Sequence, residues 1–273
     1  MEKSDKCYWE NNWAMENIPK AINPHKRGLR NYNRRRFHEF FYKIFSGMKT
    51  DGSKLLEIGC ARSRWLPYFS KEFGFDISGI DYSETGCRQA QKILDNEDVN
   101  GKILCADFFS PPESMLENFD IVVSFGVVEH FEETAKCISE FSKFLKPGGI
   151  LITQIPNMTG LIGLVQKMVN KPVFDIHVPL DKNALKDAHE FSGLEMVESD
   201  YFLFTNFGVC NLNKVSISLS WLLKKVFILS LISFSALIWL IEDLFGPFKP
   251  NKVMSPYINC FAKKPKASLK QGE

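Results

Sequence analysis

The 273-residue chain contains no Cys-x-x-Cys pair, no internal repeat and no low-complexity tract. Its seven cysteines (Cys7, Cys60, Cys87, Cys105, Cys137, Cys210 and Cys260) are odd in number and dispersed. That pattern argues against a disulfide framework or a zinc site and fits reduced thiols in a cytoplasmic protein. The opening stretch, MEKSDKCYWENNW, holds no apolar run of the kind a signal peptide needs. Charge of one sign is also lacking: 34 basic and 32 acidic residues leave a formal net charge of +2. Such a balance does not mark a nucleic-acid binder. The basic residues that do cluster (Lys26, Arg27, Arg30, Arg34, Arg35 and Arg36) precede the core, and no basic-aromatic interleaving recurs along the chain. With 45% hydrophobic and 24% charged residues, the composition is that of a globular protein, long enough for one large domain or a domain with an elaborate cap.

What is present alternates in type. Apolar runs at 54–58, 77–80, 102–105, 120–125, 149–154 and 195–204 read as strands. Between them, 65–73, 84–94, 132–144 and 182–191 carry helical periodicity. The expected fold is α/β, a Rossmann-like doubly wound and mostly parallel sheet. Ahead of it, Phe37, Phe40, Phe41, Ile44 and Phe45 form one helical stripe, with Asn33 as its expected cap and Gly47 as its stop.

Ligands in such sheets bind outside the carboxyl ends of the strands. There the chain reads LLEIGCARSRWLPYF, a strand that turns through small residues into a helix, which brings backbone close to a ligand. Acids close the first strands: Glu57, then Asp81 in ISGIDYSE, with Asp107 after the third in ILCADFF. Each alone could be a helix cap; in order after a small-residue loop they define one crevice.

The segments LLEIGCARS, GIDYSE, CADFF, FDIVVSFGVVEHF and FLKPGGILITQIPN, followed by HEFSGLEMVESDYF and YINCFAKKP, together resemble the class I S-adenosylmethionine-dependent methyltransferases. The resemblance implies S-adenosylmethionine as cofactor and an antiparallel last strand. It implies that the loop of Glu57, Gly59, Cys60 and Ala61 lies beneath the methionine part of the cofactor. Asp81 would accept from both ribose hydroxyls, Tyr82 would lie against the adenine, Asp107 would receive the adenine amino group with Phe108 packing nearby, and Phe125 would lie near the methyl. The family's acid-x-Gly-x-Gly-x-Gly pattern is met at Glu57 and Gly59, while Ala61 and Ser63 stand at the next two glycine positions; Ser63 is placed to cap the following helix. A nicotinamide-dehydrogenase reading would need Gly-x-Gly-x-x-Gly from Gly59, where the chain offers Ala61 and Arg64.

Methyl transfer from a sulfonium needs alignment, and a base only where the acceptor must lose a proton. The base candidates are His130 in VVEHF and His177 in FDIHVPL, each of which could instead bond the backbone; Glu129 could pair with His130. No metal-ligand spacing is evident, so no metal is expected. The chain divides into a helical N-terminal cap (1–50), the core (51–205 and 253–264) and an apolar insertion (206–252). Within 215–245, residues 226–241 carry no charge. That run is short for a span, and a single crossing would separate the last strand from its sheet. A lid over the acceptor, an in-plane membrane helix and a re-entrant hairpin remain open. The expected activity is methyl transfer to an oxygen, ahead of nitrogen, of a small or lipid-linked acceptor. The protein would be cytoplasmic, with peripheral membrane contact through 215–245. The alternative is a catalytically silent module of the same fold acting as a membrane-associated partner, motivated by the altered glycine loop and the apolar insertion.

Overall fold

The computed structural model describes residues 2–14, 17–212 and 218–266. Seven strands form one sheet: β1 (Lys54–Ile58), β2 (Asp76–Asp81), β3 (Gly101–Cys105), β4 (Phe119–Phe125), β5 (Leu145–Pro156), β6 (Glu195–Phe202) and β7 (Tyr257–Lys263). Their order is β3-β2-β1-β4-β5-β7-β6, and β7 runs antiparallel to both of its neighbours. The order reverses between β1 and β4, which run parallel with Ile58 opposite Ser124. That reversal opens a crevice at their carboxyl ends.

Nine helices lie among the described residues: α1 (Lys6–Trp13), α2 (Tyr32–Phe45), α3 (Leu66–Phe73), α4 (Glu84–Asn96), α5 (Thr134–Phe144), α6 (Leu161–Val169), α7 (Lys171–Asp175), α8 (Lys182–Phe191) and α9 (Leu219–Phe245). Alternation along the strands sends Leu55 and Val123 to one face and Leu56 and Val122 to the other. The first face is covered by α2 and α3 through Phe37, Phe41, Phe45, Leu66 and Phe69. The second is covered by α5 and α8 through Ile138, Phe141, Phe144 and Leu185.

Helix α2 starts two residues earlier than its sequence suggests. Its N-cap is Asn31, not Asn33, and the Asn31 amide donates to the carbonyls of Asn23, Pro24 and Lys26. Gly47, at φ +80°, follows the helix end as expected. Among its described residues the lead-in holds two helices, α1 and α2.

Among its described residues the insertion contains one unbroken 27-residue helix, α9, and no re-entrant hairpin. Residues 215–217 of the expected apolar stretch lie outside the described residues. Among the described residues α9 alone is long and apolar enough to cross a membrane. It is nevertheless tied to the domain along its length. Lys224 Nζ donates to the Val169 carbonyl (3.1 Å), Ser235 Oγ accepts from Phe207 N (3.0 Å), Trp239 Nε1 donates to the Thr205 carbonyl (2.8 Å) and Arg35 pairs with Asp243 (2.6 Å). Ile228, Ser235 and Glu242, seven residues apart, form its buried line. Leu222, Leu223, Val226, Leu229, Leu237, Leu240 and Leu244 are exposed.

Phe41 is fully buried and its ring meets those of Phe37, Phe45, Trp65, Tyr68, Phe69 and Phe125. Phe41→Ala is expected to lower unfolding free energy by about 3–5 kcal/mol in denaturant titration. The neighbouring exposed Tyr42→Ala should stay within about 0.5 kcal/mol.

Candidate functional site

The loop after β1 is shaped by close approach. Gly59 has φ +78°, and a Cβ there would stand 2.3 Å from Val127 Cγ2. Ala61 N donates to Asp81 Oδ2 (3.0 Å) and Ser83 N to Asp81 Oδ1 (2.8 Å), so one carboxylate joins the loop to the end of β2. Ser63 Oγ donates to Glu57 Oε2 (2.5 Å) and accepts from Trp65 N and Leu66 N (3.1 Å each). Its hydroxyl thus opens α3 and anchors the acid of β1. The methyl of Ala61 fits because α4 offers Gly86 opposite, where a Cβ would lie 2.5 Å from it. Both departures from the glycine pattern are built into the packing.

These groups open into a cavity of about 430 Å³ at the sheet's switch point, a size suited to a small-molecule ligand. Glu57, Gly59, Ala61, Asp81, Tyr82, Phe108 and Phe125 line it. Two expected residues do not. Cys60 is fully buried and faces β2, where its Sγ would touch a Cβ at Gly79. Asp107 is exposed and its Oδ1 accepts from Phe109 N (2.9 Å), turning it back on its own loop.

The cover of this cavity is the N-terminal segment, which contributes Glu2, Trp9 and Trp13. Tyr82 OH donates to Glu2 Oε1 (2.7 Å), Glu10 accepts from Glu84 N (2.6 Å), and Gln89 Nε2 donates to the Trp13 carbonyl (2.7 Å). Trp9 and Trp13 stack with centroids 5.5 Å apart. Their spacing of one helical turn in WENNW is the signal by which the sequence could have revealed this face. By contrast α9 lines neither this cavity nor the next.

A second cavity of about 280 Å³ shares Phe125, Gly126 and His130 with the first and adds Glu129, Gln154, Gln166, His177 and Tyr257. Both candidate histidines meet here, their rings 4.6 Å apart. His130 Nδ1 bonds the Ile176 carbonyl (2.8 Å) and His177 Nδ1 the Val173 carbonyl (2.6 Å).

Burial dominates the electrostatics. It pushes Glu57 and Glu129 each up to about 8 and Asp81 up to about 6, and draws His130 down to about 3 and His177 below its usual range. Glu57 is buried with hydroxyl help from Ser63 but no cation. Arg62 and Arg64 line the same cavity, so its wall carries charge of both signs.

Residues 56–153 match the family model described as a methyltransferase domain. A Haemophilus influenzae protein described as uncharacterized is 27% identical over 57% of this chain and 64% of its own length. The ubiquinone biosynthesis O-methyltransferase of Rhodopseudomonas palustris is 27% identical over 39% of this chain and 41% of its own. The chain thus spans less than two thirds of these curated relatives. Among solved structures, geranyl diphosphate C-methyltransferase from Streptomyces coelicolor, in complex with Mg2+, geranyl diphosphate and S-adenosyl-L-homocysteine, covers 95% of this chain and 96% of its own at a TM-score of 0.57 and 12% identity, a likeness of fold.

Glu57 also sets a pH dependence. Its carboxyl titrates near 4.5 when unfolded and at about 8 when folded, so between those values the native state holds a proton the unfolded state has released. Stability therefore falls as pH rises through that window. In thermal unfolding from pH 6 to 8, Glu57→Gln is expected to lose less stability than the wild type, by up to about 1.4 kcal/mol per pH unit. Parallel curves for the two proteins would contradict this.

Proposed function

We propose, from the match of residues 56–153 to a methyltransferase-domain model and from a fold like that of the class I S-adenosylmethionine-dependent methyltransferases, that the protein transfers a methyl group from S-adenosylmethionine to an oxygen of a small or lipid-linked acceptor. The observation that carries the reading is the convergence of Glu57, Asp81 and the Gly59 loop on one 430 Å³ cavity that meets a second cavity at Phe125, Gly126 and His130. Two joined spaces suit two ligands that must react in line.

The residues present fit the cofactor. Asp81 keeps acceptor capacity beyond its two backbone bonds and can take hydroxyl donors. Glu57 can compensate an ammonium group, Tyr82 and Trp9 offer aromatic faces, and the Gly59 turn lets backbone approach closely. Bound there, S-adenosylmethionine supplies a methyl group made electrophilic by its sulfonium. The chain's contribution is alignment and exclusion of water by the Glu2–Trp13 cover.

The acceptor side is the second cavity, where Gln154 and Tyr257 are polar lining residues and His130 and His177 present their Nε2 atoms. Because burial holds His130 down to about 3, it orients an acceptor hydroxyl better than it takes its proton. The resemblance to an O-methyltransferase supports oxygen as the acceptor atom.

The lipid-linked form of the acceptor is supported by the outer surface. Gln166 of α6 lines the second cavity, while Leu164 and Met168 of the same helix are exposed and Met168 shares a surface pocket with Trp221 and Lys224 of α9. Since α9 is tied to the domain at both ends and at its middle, a lipid contact would lie in the membrane plane.

Calorimetric titration tests the cofactor reading. S-Adenosylmethionine and its demethylated product should bind at micromolar concentration, and Asp81→Ala should weaken both about ten- to hundredfold. Absence of binding by folded protein would overturn the enzyme reading in favour of the silent module. Sedimentation with vesicles of phosphatidylglycerol and phosphatidylcholine tests the surface. The wild type should pellet with them and a Leu223→Ser, Leu237→Ser double variant should remain largely in solution; equal behaviour of the two would remove α9 from any lipid contact.

A further inference from the structure

Three ligating residues converge in the wall of the second cavity. Glu129, His130 and His177 are all buried, and one donor atom from each lies within 4.8 Å of the other two. Sequence spacing conceals the group, because Glu129 and His130 adjoin each other while His177 is 47 positions beyond His130. The backbone closes that gap: Val178 N donates to the Glu129 carbonyl (2.6 Å), holding the His177 segment against the turn that carries the other two.

The state of each donor follows from its partners. A backbone carbonyl only accepts, so Nδ1 carries the proton in both rings and Nε2 presents a lone pair. The Glu129 carboxylate has Oε2 fully enclosed without a hydrogen-bond partner. Both rings and the unpartnered Glu129 oxygen therefore share one buried space, and the cation whose charge acts on both rings, Lys3, spends its Nζ on the His177 carbonyl (3.2 Å). A buried carboxyl oxygen left without a partner is costly unless something completes it.

We propose that Glu129, His130 and His177 bind a divalent first-row transition-metal ion. Two neutral imidazoles and one carboxylate are a two-histidine, one-carboxylate set, and the carbonyls of Ile176 and Val173 orient its rings as outer partners commonly do. Nitrogen ligands select Mn2+, Fe2+, Co2+ or Zn2+ over Mg2+ and Ca2+. The ion site stands on these residues alone; its use rests on the methyl-transfer reading, in which a cation there would bind the acceptor oxygen and release its hydroxyl proton to water.

The test uses the full chain, freed of metal by a chelator and titrated calorimetrically with Mn2+, Co2+, Zn2+ and Mg2+. One transition-metal ion per chain is expected, with Mg2+ at least about tenfold weaker. Glu129→Gln and His177→Gln, each checked for folding by circular dichroism, should weaken Co2+ binding at least about tenfold. The wild type supplies a readout that needs no variant: Co2+ should give visible d–d absorption and paramagnetically shifted exchangeable proton signals from two imidazole Nδ1–H groups. Binding that is absent, that favours Mg2+, that both variants retain, or that shifts no imidazole proton would overturn the site. Titration with S-adenosylhomocysteine in parallel separates the two readings, since its loss with metal binding intact would remove the methyl-transfer role and leave the ion site.

Discussion

The carboxylate of Asp81 is the constraint on which the site depends. By accepting from Ala61 N on one oxygen and Ser83 N on the other, it fixes the end of β2 to the loop after β1. The loop cannot then relax away from the crevice, and Gly59 must pass beneath Val127 with no room for a side chain. Ser63 completes the arrangement by holding Glu57 from the opposite side while it starts α3. Burying Glu57 and Asp81 together is unfavourable, which is why both carboxyls rise above their ordinary range. Functional sites are where such costs are retained.

Much of the fold was legible because its signals are local. Alternating strands and amphipathic helices carry their own periodicity, and the antiparallel β7 followed from the resemblance. The loop residues and strand-end acids were legible for the same reason, since position at a strand's carboxyl end already places a group. What stayed hidden depended on distant packing. Asp107 has the right position but turns back to Phe109 N, a choice made by a side-chain bond that spacing does not encode. Cys60 lies in the right loop yet points into the sheet, toward the room left by Gly79. The cover by Glu2, Trp9 and Trp13 rests on bonds spanning about 75 to 80 positions, and α6 was hidden because its apolar run lacked a polar face.

The insertion shows how composition and anchoring can point in different directions. By length α9 is a membrane helix, and by contact it is a surface helix of the domain. A helix apolar on nearly every side needs a second covering, yet its polar ties at Ser235, Trp239 and Asp243 all face the domain. Its orientation is therefore set by these bonds together with that of Lys224 to the Val169 carbonyl, while its exposed side remains a general apolar surface.

The segment that closes the first cavity also reaches the second. Lys3 N donates to the His130 carbonyl (2.8 Å) and Lys3 Nζ to the His177 carbonyl (3.2 Å), one residue after Glu2 meets Tyr82. A single strap thus spans the mouths of both spaces. Displacing it would open both at once, so in the methyl-transfer reading the exchange of the two ligands would be linked through these first residues, without any change in the walls that hold them.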